Sequence, residues 1–481
     1  MVFSDLFFLF VFLPAFIILY RIASSIDIRR SLDRLNPSHV WRNSVLVVFS
    51  LLFYAWGEPV YVLLMIVTVL LNYLTALWMV RSMSTRKIAL ITGIVANLLI
   101  LCSFKYLGFF ARTLNSVGFD ISVPEIGLPI GISFYIFQSV SYLVDVYRSD
   151  APAQRRYADL LLYISMFPQL IAGPIVRYDT IAREINSRKA TADDIYDGVF
   201  RFLIGLGKKV ILANQFSEIS DRFLADGIGS LSTGGAWVGI IAFTFQIYFD
   251  FSGYSDMAIG IGRCIGFHFK ENFDHPYCCN SITDFWRRWH MSLGSFFRDY
   301  VYIPLGGNRR RQWLNILIVW FLTGMWHGAS WNFIIWGLYF GLIIMVEKFT
   351  IIPWQSRIPR PLLHIYALVI VVLGWGIFYF EDFDSLTTFF KAAFGGSEYP
   401  TDFTVEGAIF DNFWLWMTAI LFCMPVRRWA SAIPYKLVPS HQGFGDSITL
   451  VSRIAVGVII LILSVALLIG ATNNAFLYTR F

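Results

Sequence analysis

Two histidines, His327 and His290, are the residues of this 481-residue chain best placed for acid–base chemistry. His327 lies between two uncharged apolar runs, Trp313–Trp326 and Trp331–Val346, and each run is shorter than the ~20 residues that a helix needs to cross a bilayer. An ionisable imidazole at membrane depth is costly and indicates a functional site. The break at 328–330 should therefore lie below the membrane surface.

The chemistry expected of these histidines is base catalysis. An imidazole in a low-dielectric site has a depressed pKa, so its neutral form is available as a general base at neutral pH. A hydroxyl that attacks a thioester or an ester needs such a base, together with a donor that stabilises the oxyanion. The structural alternative is that each histidine only forms a hydrogen bond between helices. A functional alternative from another class is a transporter whose histidines relay protons.

The elements that must hold these residues are membrane helices. Of all residues, 57% are hydrophobic, 18% aromatic and only 15% charged, and the mean hydropathy is +0.62. A soluble domain of this length does not show such a balance. We predict an all-α integral membrane protein with roughly ten longer transmembrane helices plus the short pair around His327. Residues 1–481 should form one polytopic domain with a catalytic core at about 160–347.

The placement of charge orients the predicted spans. Arginines collect in short loops, as the positive-inside bias requires, and alternation of the spans then places both termini outside the cytoplasm. The stretch 160–176 is cut by Pro168 and by Gly173-Pro174, so we expect a re-entrant segment. Broken backbone persists at membrane depth only where it is buried in protein or lines a cavity. Gln169 is thus a candidate for pointing into a cavity and binding substrate.

A polar cluster follows a long apolar run, and its members are Asp250, Ser252, Tyr254 and Asp256. At ~3.6 residues per turn the two aspartates face different sides of a helix, which argues against a paired acid–base dyad. We predict a structural polar core, with a helix break at Gly253 and ion pairs to Arg263 or Arg287.

The segment 283–311 interleaves aromatic residues with arginines, a pattern typical of helices at the membrane interface. One interpretation is an anchor to membrane lipid. The other is a basic rim for the phosphates of coenzyme A or of a phosphopantetheine carrier. The candidate donor-binding residues in this segment and the motif after it are Arg287, Arg288, Asn308, Arg309 and Trp326.

Charge and cysteine content exclude several other classes. The net charge is +6, but the basic residues lie in short loops, so it indicates membrane orientation and no nucleic-acid partner. The five cysteines are odd in number and lack CxxC spacing, which predicts neither a disulfide framework nor a metal site. We expect no bound cofactor.

Several motifs occur in a fixed order along the chain. They are PQLIAGPI at 168–175, DFSGYSDMAIG at 250–260, DFWRRWHMSL at 284–293, YIPLGGNR at 302–309 and WHG at 326–328. Together they resemble the membrane-bound O-acyltransferase (MBOAT) family. The opening MVFSDLFFLFVFLP and the ending FLYTRF are most similar to its alginate O-acetyltransferase branch.

This resemblance implies a bundle of membrane helices around a central funnel or tunnel. It implies that His327, the histidine of WHG, is catalytic and that His290 is the second family histidine. The donor would be a cytoplasmic acyl thioester such as acetyl-coenzyme A. The acetyl group would reach an extracytoplasmic polysaccharide through an SGNH-type acetyltransferase, within a polysaccharide biosynthesis complex at a bacterial inner membrane.

Several acceptors are compatible with the sequence. An alginate-like exopolysaccharide is the leading hypothesis, while peptidoglycan or cellulose acetylation and D-alanyl transfer to teichoic acid use similar membrane subunits. A proton-coupled transporter is disfavoured because the chain shows no internal repeat.

Overall fold

The computed structural model describes residues 1–481 except 34–38, 125, 172, 352–354, 427–441, 472–475 and 478–481. Regular structure in this part of the chain is helical throughout, with no strand. The all-α prediction is therefore confirmed. Residue 172 of the 168–175 motif and residues 478–481 of the FLYTRF ending lie outside the described residues.

Several helices of the described chain could cross a membrane. Seven described helical segments are long and apolar enough to cross a membrane: Phe8–Arg29, Val40–Gly57, Tyr61–Arg81, Arg86–Ser116, Trp331–Ile351, Arg360–Tyr379 and Thr449–Ile469. A shorter apolar helix spans Phe413–Cys423. The multi-pass prediction is confirmed, whereas the count of about ten longer crossings stays a prediction.

The other helices of the described chain are shorter or more polar. They are Tyr157–Ser165, Phe167–Leu170, Ile132–Arg148, Tyr178–Ser187, Ala192–Gly207, Asn214–Leu224, Thr233–Cys264, Ile282–Arg288, Met291–Phe297, Gln312–His327, Phe383–Lys391 and Phe403–Phe410. Four helices of the described chain carry the site. The motif helix is Ile282–Arg288, the first and second hairpin helices are Gln312–His327 and Trp331–Val346, and the long helix is Thr233–Cys264.

The described chain divides into two compact units. The first comprises Met1–Phe202 and Tyr254–Lys270, and the second comprises Leu203–Gly253 and Glu271–Leu477. His290, the motif helix and both hairpin helices belong to the second unit. The single domain over 1–481 and the core at about 160–347 stay predictions.

In the first unit, Phe167 marks the predicted backbone break. One helix ends at Ser165 and the next begins at Phe167. The Phe167 ring packs against aromatic rings, at 5.1 Å from Phe16 and 5.6 Å from Phe53. Its N–H donates to the hydroxyl of Ser50 at 3.1 Å, so the break is buried in protein, as irregular backbone at membrane depth requires.

In the second unit, two glycines let the hairpin helices pack backbone against backbone. A Cβ on Gly324 would lie 2.3 Å from the carbonyl oxygen of Phe333, and a Cβ on Gly337 would lie 2.3 Å from that of Trp320. Small residues permit such close helix contacts. The tight contact fixes the end of the first hairpin helix, where His327 lies.

The long helix corrects the prediction of a break at Gly253. The helix runs without interruption from Thr233 to Cys264. A Cβ at Gly253 would lie 2.8 Å from the carbonyl oxygen of Gly205. The glycine therefore serves a close helix approach, at a helix-propensity cost of ~1 kcal/mol.

Candidate active site

His327 is the last residue of the first hairpin helix, and the chain leaves the helical conformation at Gly328. The predicted break is confirmed. The side chain is 5% exposed. Its ring centroid lies 4.8 Å from that of Trp326, 4.9 Å from that of Trp336 and 5.3 Å from that of Phe378, all edge-to-face. Aromatic rings from three positions therefore hold the imidazole in place.

His290 follows the motif helix by two residues and is 2% exposed. Its φ of +44° lies in the left-handed region, which costs roughly 1–2 kcal/mol for most residues. Two backbone hydrogen bonds secure this turn: Asp274 N–H donates to the Arg288 carbonyl at 2.9 Å, and Met291 N–H donates to the Asn272 carbonyl at 2.9 Å. The loop around 272–274 thus fixes the direction of the His290 side chain.

The hydrogen bonds of Asn272 define the tautomer of His290. The side-chain oxygen of Asn272 accepts from the Ser292 N–H at 3.2 Å, and a backbone N–H can only donate, so this atom is the amide oxygen. The same oxygen lies 3.2 Å from Nδ1 of His290. Nδ1 therefore carries the hydrogen, and Nε2 of the neutral ring carries the lone pair.

One indole, that of Trp326, joins the two histidines. The Trp326 centroid lies 5.7 Å from that of His290 and 4.8 Å from that of His327. Phe251 of the long helix contacts His290 from another direction at 4.6 Å. The structure therefore brings the two sequence-predicted histidines into one aromatic-lined site. The catalytic labels of both, and the donor-binding label of Trp326, stay predictions.

Burial lowers the pKa of the His290 imidazole from its ordinary value of about 6.5 to about 3. The ring is then neutral across the physiological pH range.

This shift predicts a pH-dependent stability. Because the folded-state pKa is depressed, the unfolded chain takes up a proton below about pH 6.5 that the folded chain does not. The contribution of His290 to the free energy of unfolding is thus fully present above pH 6.5. It falls by roughly 1.4 kcal/mol per pH unit between pH 6.5 and pH 3. Thermal midpoints in detergent at pH 7.5 and 5.5 should fall further for wild type than for His290→Asn, which tolerates the left-handed backbone. Equal shifts in the two proteins would contradict this assignment.

Ion pairs of the polar cluster differ from those predicted. In the second unit Asp250 pairs with Lys209 at 2.7 Å and accepts from the N–H of Leu477 at 2.7 Å. In the first unit Asp256 pairs with Arg201 at 2.8 Å. The predicted pairing with Arg263 or Arg287 is wrong, because helix packing rather than sequence proximity selects the partners.

The remaining members of that cluster are buried. Ser252 and Tyr254 are each 2% exposed, and Tyr254 stacks on Phe3 at 4.5 Å within the first unit. Gln169, also in the first unit, is 1% exposed. Its amide nitrogen donates to the Tyr163 carbonyl across the helix break. Its predicted role in substrate binding stays a prediction.

The predicted basic rim is an exposed set of side chains around Asn308. The side-chain oxygen of Asn308 accepts from Tyr302 at 2.6 Å and Gln312 at 2.7 Å. Arg287 and the run Arg309, Arg310 and Arg311 are exposed. Arg288 differs, because Asp284 binds it at 2.9 Å. Arg287, Asn308 and Arg309 are thus accessible to a charged ligand, while Arg288 is engaged within the motif helix.

Sequence reasoning missed three residues that shape the site: Asn272, Trp336 and Phe378. Asn272 lies in a loop without periodicity, and its role depends on a turn 18 residues away in sequence. Trp336 and Phe378 belong to apolar helices, in which the sequence predicts a core position for every large side chain. The signal available for Trp336 was the clustering of tryptophans around the WHG motif.

The site lies in a part of the chain that is similar to known proteins. Residues 48–383 match the family model of the membrane-bound O-acyltransferase family. The chain is 42% identical over 406 residues to the probable alginate O-acetylase AlgI of Azotobacter vinelandii, covering 82% of this chain and 78% of that protein. It is 40% identical to that of Pseudomonas aeruginosa, covering 82% and 75%. The peptidoglycan O-acetyltransferase of Helicobacter pylori is 34% identical, with 73% of each chain covered.

The matched residues contain both histidines, the motif helix and both hairpin helices. The resemblance predicted from the motifs is confirmed. This chain belongs to the membrane-bound O-acyltransferase family and is an acyltransferase.

Proposed function

We propose that the protein takes an acetyl group from a cytoplasmic thioester and passes it across the membrane for O-acetylation of an extracytoplasmic polysaccharide. The observation that carries this proposal is the contact of two buried imidazoles, His290 and His327, with the single indole of Trp326. The extensive similarity to proteins named alginate O-acetylase supports acetyl as the group and a polysaccharide as the acceptor.

The chemistry assigned to His327 is that of a general base. A hydroxyl of the acceptor attacks the thioester carbonyl carbon, and the imidazole removes the hydroxyl proton as the new C–O bond forms. The C–S bond then breaks, and the proton passes to the departing thiolate, so that an ester and a free thiol result. His290, neutral and held by Asn272, is assigned to donor positioning.

The donor is proposed to enter beside the basic rim. Acetyl-coenzyme A and carrier-bound thioesters both carry phosphate, which exposed arginines bind well. Lys348 adds to this charge, because its Nζ lies 3.5 Å from the Asn308 oxygen. The positive-inside bias supports a cytoplasmic position for the basic rim.

Neutralising the rim should weaken donor use. Replacing Arg309, Arg310 and Arg311 together by glutamine should raise the KM for the thioester about three- to tenfold, since each exposed ion pair contributes at most ~1 kcal/mol. The difference from wild type should shrink at high salt, where the charges are screened. Initial rates at several donor concentrations measure this.

The control is the triple lysine variant, which keeps the charge and should stay near wild type. Equal KM values for the glutamine variant and wild type at low salt would remove the rim from the donor site.

We place the protein in a bacterial inner membrane with both termini outside, and with a funnel or tunnel that reaches His327 from both faces. A separate SGNH-type acetyltransferase of the polysaccharide biosynthesis complex would receive the acetyl group. Recovery of acetylated acceptor only when that partner is added would support this division of labour.

The acceptor can be tested in cells. Deleting the gene should remove base-labile acetate from secreted polysaccharide and leave peptidoglycan acetate unchanged. The similarity to a peptidoglycan O-acetyltransferase makes peptidoglycan the second candidate. Loss of acetate from peptidoglycan alone would select it, and loss of esterified D-alanine would select D-alanyl transfer instead.

A further inference from the structure

Glu347 is a fully buried carboxylate that the proposed chemistry does not use. It begins the π-helical turn Glu347–Ile351, directly after the second hairpin helix, and is 0% exposed. A buried charge of this kind is costly unless hydrogen bonds compensate for it. Its partners therefore indicate what the carboxylate is for.

Both carboxylate oxygens of Glu347 bind the start of the motif helix. The N–H of Ile282 donates to Oε1 at 2.6 Å. The N–H and the hydroxyl of Thr283 donate to Oε2 at 2.8 and 2.7 Å. These bonds are short, as is usual for bonds to an ionised acceptor. One side chain thus ties the motif helix to the second hairpin helix.

A second contact joins the same two helices nearer the histidines. Trp286 of the motif helix packs against Trp336 at 5.4 Å and against Phe340 at 4.9 Å. Trp336 in turn contacts His327 at 4.9 Å. The motif helix is therefore fixed at its beginning by Glu347 and near its middle by Trp286.

We infer that Glu347 is a positioning residue. It holds the motif helix so that the His290 ring keeps its place beside Trp326, the indole that also contacts His327. The motif helix ends two residues before His290, so a shift at its start moves His290. The inference rests on the proposed acyl transfer and adds a residue that sets the geometry of its site. A displacement of about 1 Å in a residue that positions the substrate can cost as much as ~100-fold in rate.

The test compares Glu347→Gln with Ser281→Ala. The glutamine keeps the size of the side chain but turns one acceptor into a donor facing N–H and O–H groups. Ser281 caps the same helix by accepting from the Asp284 N–H at 3.0 Å, and its loss leaves the Glu347 contacts in place. Both variants weaken the start of the motif helix, but only Glu347→Gln removes the carboxylate contacts between that start and the second hairpin helix.

Two measurements are made on the purified full-length variants. Hydrogen exchange of peptides that cover 281–290 should be faster in Glu347→Gln than in wild type. The kcat/KM for the thioester should fall about 10- to 100-fold in Glu347→Gln, with KM rising at least as much as kcat falls, and stay within about threefold of wild type in Ser281→Ala. Glu347→Asp, which retains both acceptor oxygens on a shorter stem, should recover part of the rate.

Wild-type exchange or a wild-type kcat/KM in Glu347→Gln would overturn the inference, as would an equal loss in Ser281→Ala. If Glu347→Gln does not fold, Thr283→Val removes one donor to the carboxylate and should give a smaller loss of kcat/KM; an unchanged kcat/KM would overturn it too. An inactive wild type would instead refute the proposed function, while the exchange measurement stays informative about Glu347.

Discussion

Replacing His327 with alanine should abolish most acetyl transfer while leaving the protein in the membrane. A general base contributes about 10²–10⁴-fold to rate, so kcat should fall by that factor. The fall should exceed any change in protein amount. The measurement is the initial rate of ester formation by purified protein supplied with the SGNH-type partner and the polysaccharide, normalised to folded protein by gel filtration.

The matched control for His327 is His364→Ala. His364 is a half-buried histidine of the same unit, and its Nδ1 lies 2.8 Å from the Cys279 carbonyl oxygen. We expect it to transfer acetyl groups at near the wild-type rate. Wild-type activity in a stably folded His327→Ala protein would return His327 to a purely structural role.

Replacing His290 with asparagine should give a loss no larger than that of His327→Ala, with a different kinetic signature. Asparagine tolerates the φ of +44°, so the substitution removes the imidazole without straining the turn. If His290 positions the donor, the KM for the thioester should rise at least as much as kcat falls. Steady-state kinetics over a range of donor concentrations separate the two effects.

An unchanged donor KM together with a kcat loss as large as that of His327→Ala would assign the base to His290 instead. The Nε2 lone pair that the Asn272 contact leaves on His290 makes this a chemically sound outcome. The two histidine variants, measured side by side, therefore decide which imidazole removes the proton.

Features that depend on local pattern could be predicted from the sequence. The short apolar runs on either side of 328–330 predicted the helix break after His327, and the prolines and glycine of 168–174 predicted broken backbone. Both are present in the structure. Membership of an acyltransferase family followed from motif order and is confirmed over 48–383.

Features that depend on packing between distant segments could not be predicted. The pairing of Asp250 with Lys209 follows from the side of the long helix that faces a neighbouring helix, which spacing alone does not specify. Gly253 suggested a break because glycine weakens helices, yet packing against Gly205 retains the helix there. Glu347 and Asn272 act through hydrogen bonds to residues distant in sequence, several of them backbone N–H groups, and the local sequence pattern does not specify such contacts.

The central claim is that an acetyl group crosses the membrane at His327, and vesicles with defined sides test it most directly. Purified protein is reconstituted in sealed vesicles, with labelled acetyl-coenzyme A on the side of the basic rim. The SGNH-type partner and the polysaccharide are placed on the other side. The account predicts label on the polysaccharide with wild type and almost none with His327→Ala. Equal labelling with the two proteins, or labelling only when donor and acceptor share one side, would contradict it.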